Sequence, residues 1–396
     1  MMRKVGIIGM GQCGNNILLQ TIDDEKELIT ELLDEQYLFE TVALNTTAFD
    51  MQKLEGKCAN IIVYGGSGAG KNRKKGKSLL KQYYQGIIDK MIDIFIECDV
   101  IITEGSTGGG SGSSAIALIT NLLRSAFKRL KADGTIDSIP VFIPIGVMPV
   151  ITEDLAAQTN TIETIHEIDS LKSAYMLLDN NRLADENIKD IYSTINTTVS
   201  LISRVIRGDY NAESTEYGNM DNMDFLRLIN TEGLMTINTV AGIKSIDLDR
   251  MSMGEIILKS IRNSFNVQLE KDKVIGKIGI IYNITENMLD MISDSYPELE
   301  KELGVTPYKF KHVNIVEDES ETSIITILTG LSAPMSRIAE ITDMIEEAKD
   351  SVKKRDTSRL AAVRDEINWL SDDDIDEDDD TLDNVESDDE IFGKFN

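Results

Sequence analysis

Three stretches of this chain combine residue types suited to holding phosphate. The first is KVGIIGMGQCGNN, residues 4–16, where Gly9-x-Gly11-x-x-Gly14 follows an apolar run directly. The second is VYGGSGAGKNRKKG, residues 63–76, and the third is IITEGSTGGGSGSSAIALI, residues 101–119. Glycine lets backbone N–H groups approach a phosphate closely, and a helix starting just beyond adds a favourable dipole. One such loop reads equally well as a tight turn. Three of them, each after a strand, read as a polyphosphate cradle.

Two familiar patterns lie inside these loops, and each lacks a residue. Gly9-x-Gly11-x-x-Gly14 is the dinucleotide fingerprint, which needs an acidic residue after the second strand to hold a ribose. That strand ends in ALNTTAFD, residues 43–50, with Asn45 or Thr46 at the expected place and Asp50 several residues late. Gly65-x-x-x-x-Gly70-Lys71 matches seven positions of a Walker loop, but Asn72 stands where a Ser or Thr hydroxyl would meet Mg²⁺. Lys71, Arg73, Lys74 and Lys75 read as a solvated surface cluster. A nicotinamide oxidoreductase and a P-loop enzyme are therefore the weaker readings.

The elements around the loops form an α/β pattern. KVGIIGM, TVALNT, NIIVYG, VIITEG, VFIPIG and AYMLLD read as strands, separated by helical segments such as SAIALITNLLRSAFKRLKADG. Strands apolar throughout and alternating with helices predict a parallel sheet covered on both faces, with ligands at the carboxyl ends of the strands. Residues 185–207 read as one long helix ending at Gly208, and residues 209–224 as polar and irregular. A second, smaller α/β unit with mixed strands follows. Its elements are a helix near 254–266, strand KIGIIYNI, helix ENMLDMISDSYPELEKEL, and strands YKFKHVNIV and SIITILTGL. Residues 335–370 look helical, with Trp369 near the end.

Composition narrows the classes. The chain has 396 residues, 41% of them hydrophobic, and no apolar run long enough to span a bilayer. MMRKVGIIGMG shows no signal-peptide cleavage region. Cys13, Cys58 and Cys98 are scattered, which predicts a reduced, cytoplasmic chain with neither a disulfide framework nor a Cys-based metal site. The two histidines, His166 and His312, are far apart and read as surface or incidental. A formal net charge of −28 argues against nucleic-acid binding through the body of the protein. Residues 371–396 hold ten Asp and three Glu against one Lys and read as a disordered acidic tail, solubilising or interacting.

Taken together, these stretches resemble the tubulin/FtsZ family of GTP-dependent filament proteins. GQCGN at 11–15 has the form of the tubulin phosphate loop, ALNTTAFD resembles the next loop, and GSGAGKN at 66–72 resembles the loop that touches the terminal phosphate. GGGSGSS at 108–114 resembles the family signature, with Ser111 for Thr and Ser114 for a Gly, so helix packing at Ser114 is expected to differ. PVITED at 149–154, LLDNNRL at 177–183 and INTTVS at 195–200 are similar to the ribose loop, the guanine loop and a base-reading segment of the central helix.

The resemblance implies a GTP/GDP site with Mg²⁺ and no protein-only metal centre. Gly11, Gln12, Cys13, Asn15, Asn16, Asn45 and Thr46 would serve the phosphates, as would Gly68, Ala69, Gly70, Lys71 and Asn72. Thr107, Gly108, Gly109, Gly110, Ser111 and Gly112 would complete the cradle. Glu153 would hold the ribose, and Asn180 and Asn196 the guanine. GNMDNMDF at 218–225 resembles the loop that reaches the next subunit's nucleotide, which makes Asn219, Asp221 and Asp224 the hydrolytic residues. The implied plan is a GTP-binding domain at 1–184, a central helix at 185–208 and an activation domain at 209–332. A C-terminal helix at 333–370 and the tail at 371–396 complete it. The resemblance leans toward the TubZ-like, plasmid- and phage-borne branch. It implies a head-to-tail filament GTPase and a small DNA-binding adaptor on centromere-like DNA, with no membrane partner. A cell-division filament protein like FtsZ and a non-polymerising GTP-binding scaffold are the alternatives.

Overall fold

Six strands, most of them buried, carry the first half of the chain, and each hands over to a loop at the same edge of one sheet. A computed structural model of the protein describes residues 3–32, 39–183, 187–208, 215–248, 250–271, 274–292 and 295–366. In chain order the elements begin β1 (Val5–Met10), α1 (Gly11–Leu32), β2 (Glu40–Asn45), β3 (Asn60–Val63), α2 (Arg73–Phe95), β4 (Val100–Ser106) and α3 (Ser111–Ala132). They continue β5 (Val141–Met148), α4 (Leu155–Ser170), β6 (Ala174–Asp179) and the long α5 (Ile188–Arg207). β1, β5 and β6 are buried at every position. This is why their sequences read as unbroken apolar runs rather than alternating ones.

These strands pair in parallel in the order β3-β2-β1-β4-β5-β6. α1 and α5 pack on one face, against Ile7, Ile102, Ile143 and Ile145. α2, α3 and α4 cover the other, where Phe95 meets Gly6, the Thr103 and Thr120 hydroxyls bond at 2.7 Å, and Ile168 meets Gly146. The strand order is that of the dinucleotide-binding folds, with its switch point between β1 and β4. The fold alone therefore leaves the ligand open, and the site must decide it.

The second half adds α6 (Asn222–Ile229), β7 (Gly233–Ala241), α7 (Ser245–Leu248), α8 (Met253–Arg262), β8 (Lys277–Ile284), α9 (Ser295–Leu303), β9 (Tyr308–Ile315) and β10 (Ser323–Leu331). β6 pairs with β7 through Ala174↔Gly233 and Tyr175↔Leu234, so one ten-stranded mixed sheet continues β7-β10-β8-β9. β10 is antiparallel to β7 and β8, and β9 is parallel to β8.

The α/β pattern, the six strands, the long helix and the mixed strands after it match the sequence reading. Three details differ. β7 has no place in the list of apolar runs, because the buried Thr236 and Asn238 interrupt it. The expected helix 286–303 divides into a 3₁₀ turn at Glu286–Met291 and α9. The irregular stretch 209–224 ends earlier than expected, because Asp221 accepts the Asp224 N–H at 2.8 Å and caps α6. Residues up to Ile338 form one compact unit, and those from Ala339 form a second, carrying most of helix α10 (Met335–Glu366). Trp369 and the acidic tail lie outside the described residues.

Candidate functional site

A cavity of about 490 Å³ opens at the carboxyl ends of β1, β2, β4, β5 and β6. Its floor comes from the first loop, through Gly11, Gln12, Cys13 and Asn16, and from the third, through Gly109, Gly110, Ser111 and Gly112. Gly68, Ala69, Gly70 and Lys71 of the second loop close one side, with Thr46, Thr47 and Asp50 beside them. Glu153, Asn180, Tyr192 and Asn196 form the far wall. Most of the residues expected at a nucleotide thus line one concavity of the size that small-molecule sites have.

The loops reach this geometry by close approach of backbones. A Cβ at Gly14 would sit 2.1 Å from the Glu104 carbonyl oxygen, so only glycine lets the start of α1 lie on β4. The Thr46 and Ser111 hydroxyls bond at 2.6 Å and tie the second strand's loop to the third glycine loop. Ser114, where the resemblance implies glycine, is accommodated by its neighbour across the helix pair. Its hydroxyl donates to the Ser111 carbonyl at 2.9 Å. A Cβ at Gly76 of α2 would come within 2.3 Å of that hydroxyl oxygen.

Five expected nucleotide residues are not part of the lining. Asn15 donates to the Leu44 carbonyl at 3.3 Å. Asn45 donates to Asp50 at 3.2 Å and accepts the Thr46 N–H at 2.8 Å. Asn72 caps α2 by accepting the Lys75 N–H at 2.9 Å, which is what an amide can do in place of a Walker hydroxyl. The Thr107 hydroxyl bonds with that of Thr161 at 3.0 Å, and Gly108 packs against Ala157. These residues shape the loops and leave the cavity surface to others.

The basic run after the second loop is not uniformly solvated. Arg73 is buried, donates to Glu163 at 3.0 Å and to the Ser113 carbonyl at 3.2 Å, and pairs with Glu167. It locks α2 to α3 and α4. Lys71 keeps the cavity position in a left-handed conformation (φ +59°), its ammonium paired with Asp154.

Sequence reasoning missed three contributors. Asn160 of α4 donates its amide to the carbonyls of Lys71 (3.0 Å), Gly108 (3.1 Å) and Gly109 (3.2 Å), holding two glycine loops together. Tyr192 lies one turn before Asn196 on α5, a spacing that puts both on one helix face. Asp50 is brought to the wall by Asn45. Of these, the Tyr192–Asn196 spacing was the signal available in the sequence.

The electrostatics fit an anion-binding floor beside carboxylates. Burial, then the charges of Glu104 and Glu153, pushes the Cys13 thiol up to about 12, so it stays a neutral S–H. Burial also raises Glu153, against the pull of Lys71. Asn180 is 5% exposed, and its Oδ1 has no hydrogen-bond partner. An amide at the cavity wall with an unsatisfied oxygen is an acceptor awaiting a donor.

Asn219, Asp221 and Asp224 do not line the cavity. They lie near the opposite end of β1: Arg3, just before that strand, places its guanidinium 3.6 Å over the Phe225 ring of α6. The six residues of β1 separate the two ends by about 20 Å. Asp221 is exposed and Asp224 half-buried, with Arg227 at 3.8 Å from Asp224.

Residues 4–187 match the model of the Tubulin/FtsZ family, GTPase domain. Over that stretch, somewhat under half of the chain, the protein is similar to a tubulin/FtsZ GTPase domain. Over 269 residues it is 24% identical to the tubulin-like protein CetZ of Pyrococcus furiosus, covering 65% of this chain and 66% of that one. Over 192 residues it is 27% identical to the tubulin-like protein TubZ of Clostridium botulinum C phage, covering 47% and 48%. The chain thus spans about two thirds and about half of these curated relatives. The fold is also that of a GTPγS-form protofilament of Bacillus thuringiensis serovar israelensis TubZ. The TM-score is 0.69 at 15% identity, over 90% of this chain and 94% of that one. Among the described residues no helix is long and apolar enough to cross a membrane.

Proposed function

We propose that this protein binds GTP in the cavity and polymerises head to tail, and that the acidic loop of one subunit completes the site of the next. The observation that carries the reading is the separation of the two halves of the chemistry. Phosphate- and base-facing groups share one cavity, whereas Asn219, Asp221 and Asp224 lie about a strand's length away. Phosphoryl transfer to water needs positioning and charge stabilisation, and an oriented carboxylate supplies both for the attacking water. One subunit does not bring these groups together, but a second copy would. The Bacillus thuringiensis relative solved as a protofilament supports this arrangement.

Within the cavity, the glycine loops would receive the triphosphate. Glu153 would take the ribose hydroxyls, and Asn180 with Asn196 would read the purine edge, flanked by the Tyr192 ring. Mg²⁺ bound with a triphosphate takes most of its ligands from phosphate and water. Asp50 and the Thr46 and Ser111 hydroxyls are the oxygens at hand to complete them, and the metal would neutralise charge on the phosphates. Positioning of plasmid or phage DNA through an adaptor is the cellular role we favour, supported by the likeness to a phage-encoded TubZ.

The test is turnover per subunit against protein concentration, with light scattering in parallel. Specific GTPase activity should rise steeply where scattering begins. A flat specific activity across the assembly range removes the shared site. Binding without scattering at any concentration favours a non-polymerising scaffold.

A further inference from the structure

His312 is not a surface residue. It lies on β9, is 2% exposed, and its Nδ1 accepts the backbone N–H of Met220 at 3.1 Å. Met220 sits between Asn219 and Asp221. Two more bonds fasten this stretch to the same strand: the Val313 N–H donates to the Gly218 carbonyl at 3.1 Å, and the Thr215 hydroxyl donates to the Val313 carbonyl at 2.6 Å. The far end of α6 is held differently. Phe225 and Leu228 are fully buried there, and Leu228 lies against Gly279 of β8. Apolar packing thus fixes the body of the helix, and hydrogen bonds to an edge strand fix the turn that carries the carboxylates.

The chemistry of this contact is specific. A backbone N–H aimed at Nδ1 requires that nitrogen to be unprotonated, so the ring must be neutral with its proton on Nε2. Burial, partly opposed by a bond with Asn314, lowers the pKa of the ring and favours the neutral form. Leucine would fill the space and offer no acceptor. Asparagine places an amide oxygen near the position of Nδ1, whereas glutamine reaches toward Nε2.

We infer that His312 is a positioning residue for hydrolysis: by accepting the Met220 N–H it sets the direction in which Asp221 and Asp224 meet a neighbouring subunit's nucleotide. The inference rests on the shared-site reading above. It assigns the edge strand of the second half a part in the chemistry, although no residue of that strand lines the cavity.

The experiment compares His312→Leu, His312→Asn and His312→Gln in the full chain. Affinity for a fluorescent GTP analogue is read below the assembly concentration, and kcat and KM above it, with thermal melts to confirm folding. His312→Leu should bind nucleotide and assemble as the native chain does, with kcat at least ~10-fold lower and KM within about twofold. His312→Asn should recover most of the turnover and His312→Gln less. Native turnover in a folded His312→Leu overturns the inference. Should His312→Leu not fold, equal activity of the Asn and Gln variants overturns it. Asp224→Asn, assayed alongside, separates the two ideas. If Asp224→Asn turns over normally, the shared-site reading has failed. If it is inactive while His312→Leu is active, the positioning role alone has failed.

Discussion

The cavity and the acidic loop are built by opposite means. Five parallel strands end together at the cavity, and its loops are held by buried side chains such as Asn160, Asn45 and Arg73. The acidic loop presents side chains on the first turn of an eight-residue helix and hangs on one edge strand. The cavity therefore stands on many contacts between distant parts of the chain, and the turn that carries the acidic loop stands on few. Mutations in the first should alter what is bound. Mutations in the second should alter what happens to it.

The sharpest break of this contrast is Asp224→Asn. It keeps shape and removes charge, and kcat should fall about 100-fold or more with GTP affinity unchanged, measured as phosphate release above the assembly concentration. Asp221→Asn should behave similarly while keeping the α6 cap, because Asn caps as well as Asp. Asp221→Ala should in addition lower stability by about 1 kcal/mol in a melt. On the other side of the contrast, Asn180→Ala should reduce the preference for GTP over ATP by roughly 10- to 100-fold, read by competition binding, with little change in maximal turnover. Asn160→Leu releases three loop carbonyls, and triphosphate affinity should drop about tenfold in the same assay.

The smallest expected effect tests the cavity's support. Glu104 is wholly buried on β4, neither of its carboxyl oxygens has a hydrogen-bond partner, and burial raises its pKa well above the ordinary carboxylate value. The folded chain holds this proton at pH values where the unfolded chain has lost it. Stability from this group is thus full in acid and declines as pH rises above the ordinary carboxylate range. The slope is at most about 1.4 kcal/mol per pH unit. Glu104→Gln, which cannot titrate, should flatten the pH dependence of the melting temperature. An unchanged slope would show that Glu104 is charged in the fold.

The sequence made the first six strands, the long helix and most of the cavity legible. Buried parallel strands announce themselves as apolar runs, and glycine loops follow them at once. What it hid was non-local. The bond from Met220 to His312 joins residues 92 apart, and Asn160 meets Lys71 across 89. No local spacing encodes either contact, so a buried histidine read as incidental and an essential amide went unnoticed. β7 was hidden for another reason. Its buried polar residues are satisfied by each other and by the connection after α8: Asn238 donates to the Thr236 hydroxyl at 3.2 Å and accepts from Asn266 at 3.0 Å, and hydropathy cannot foresee that satisfaction.

The meeting of Ser114 with Gly76 bears on how this lineage could have changed over time. With the backbone as it stands, a Cβ at 76 would meet the Ser114 hydroxyl at 2.3 Å and the Gly110 carbonyl oxygen at 2.9 Å, so a hydroxyl and a backbone group together hold glycine there. A side chain at 76 therefore needs the third glycine loop itself to move, and losing the serine does not by itself release the position. Among relatives that keep this loop geometry, glycine at 76 should persist whether 114 is serine or glycine.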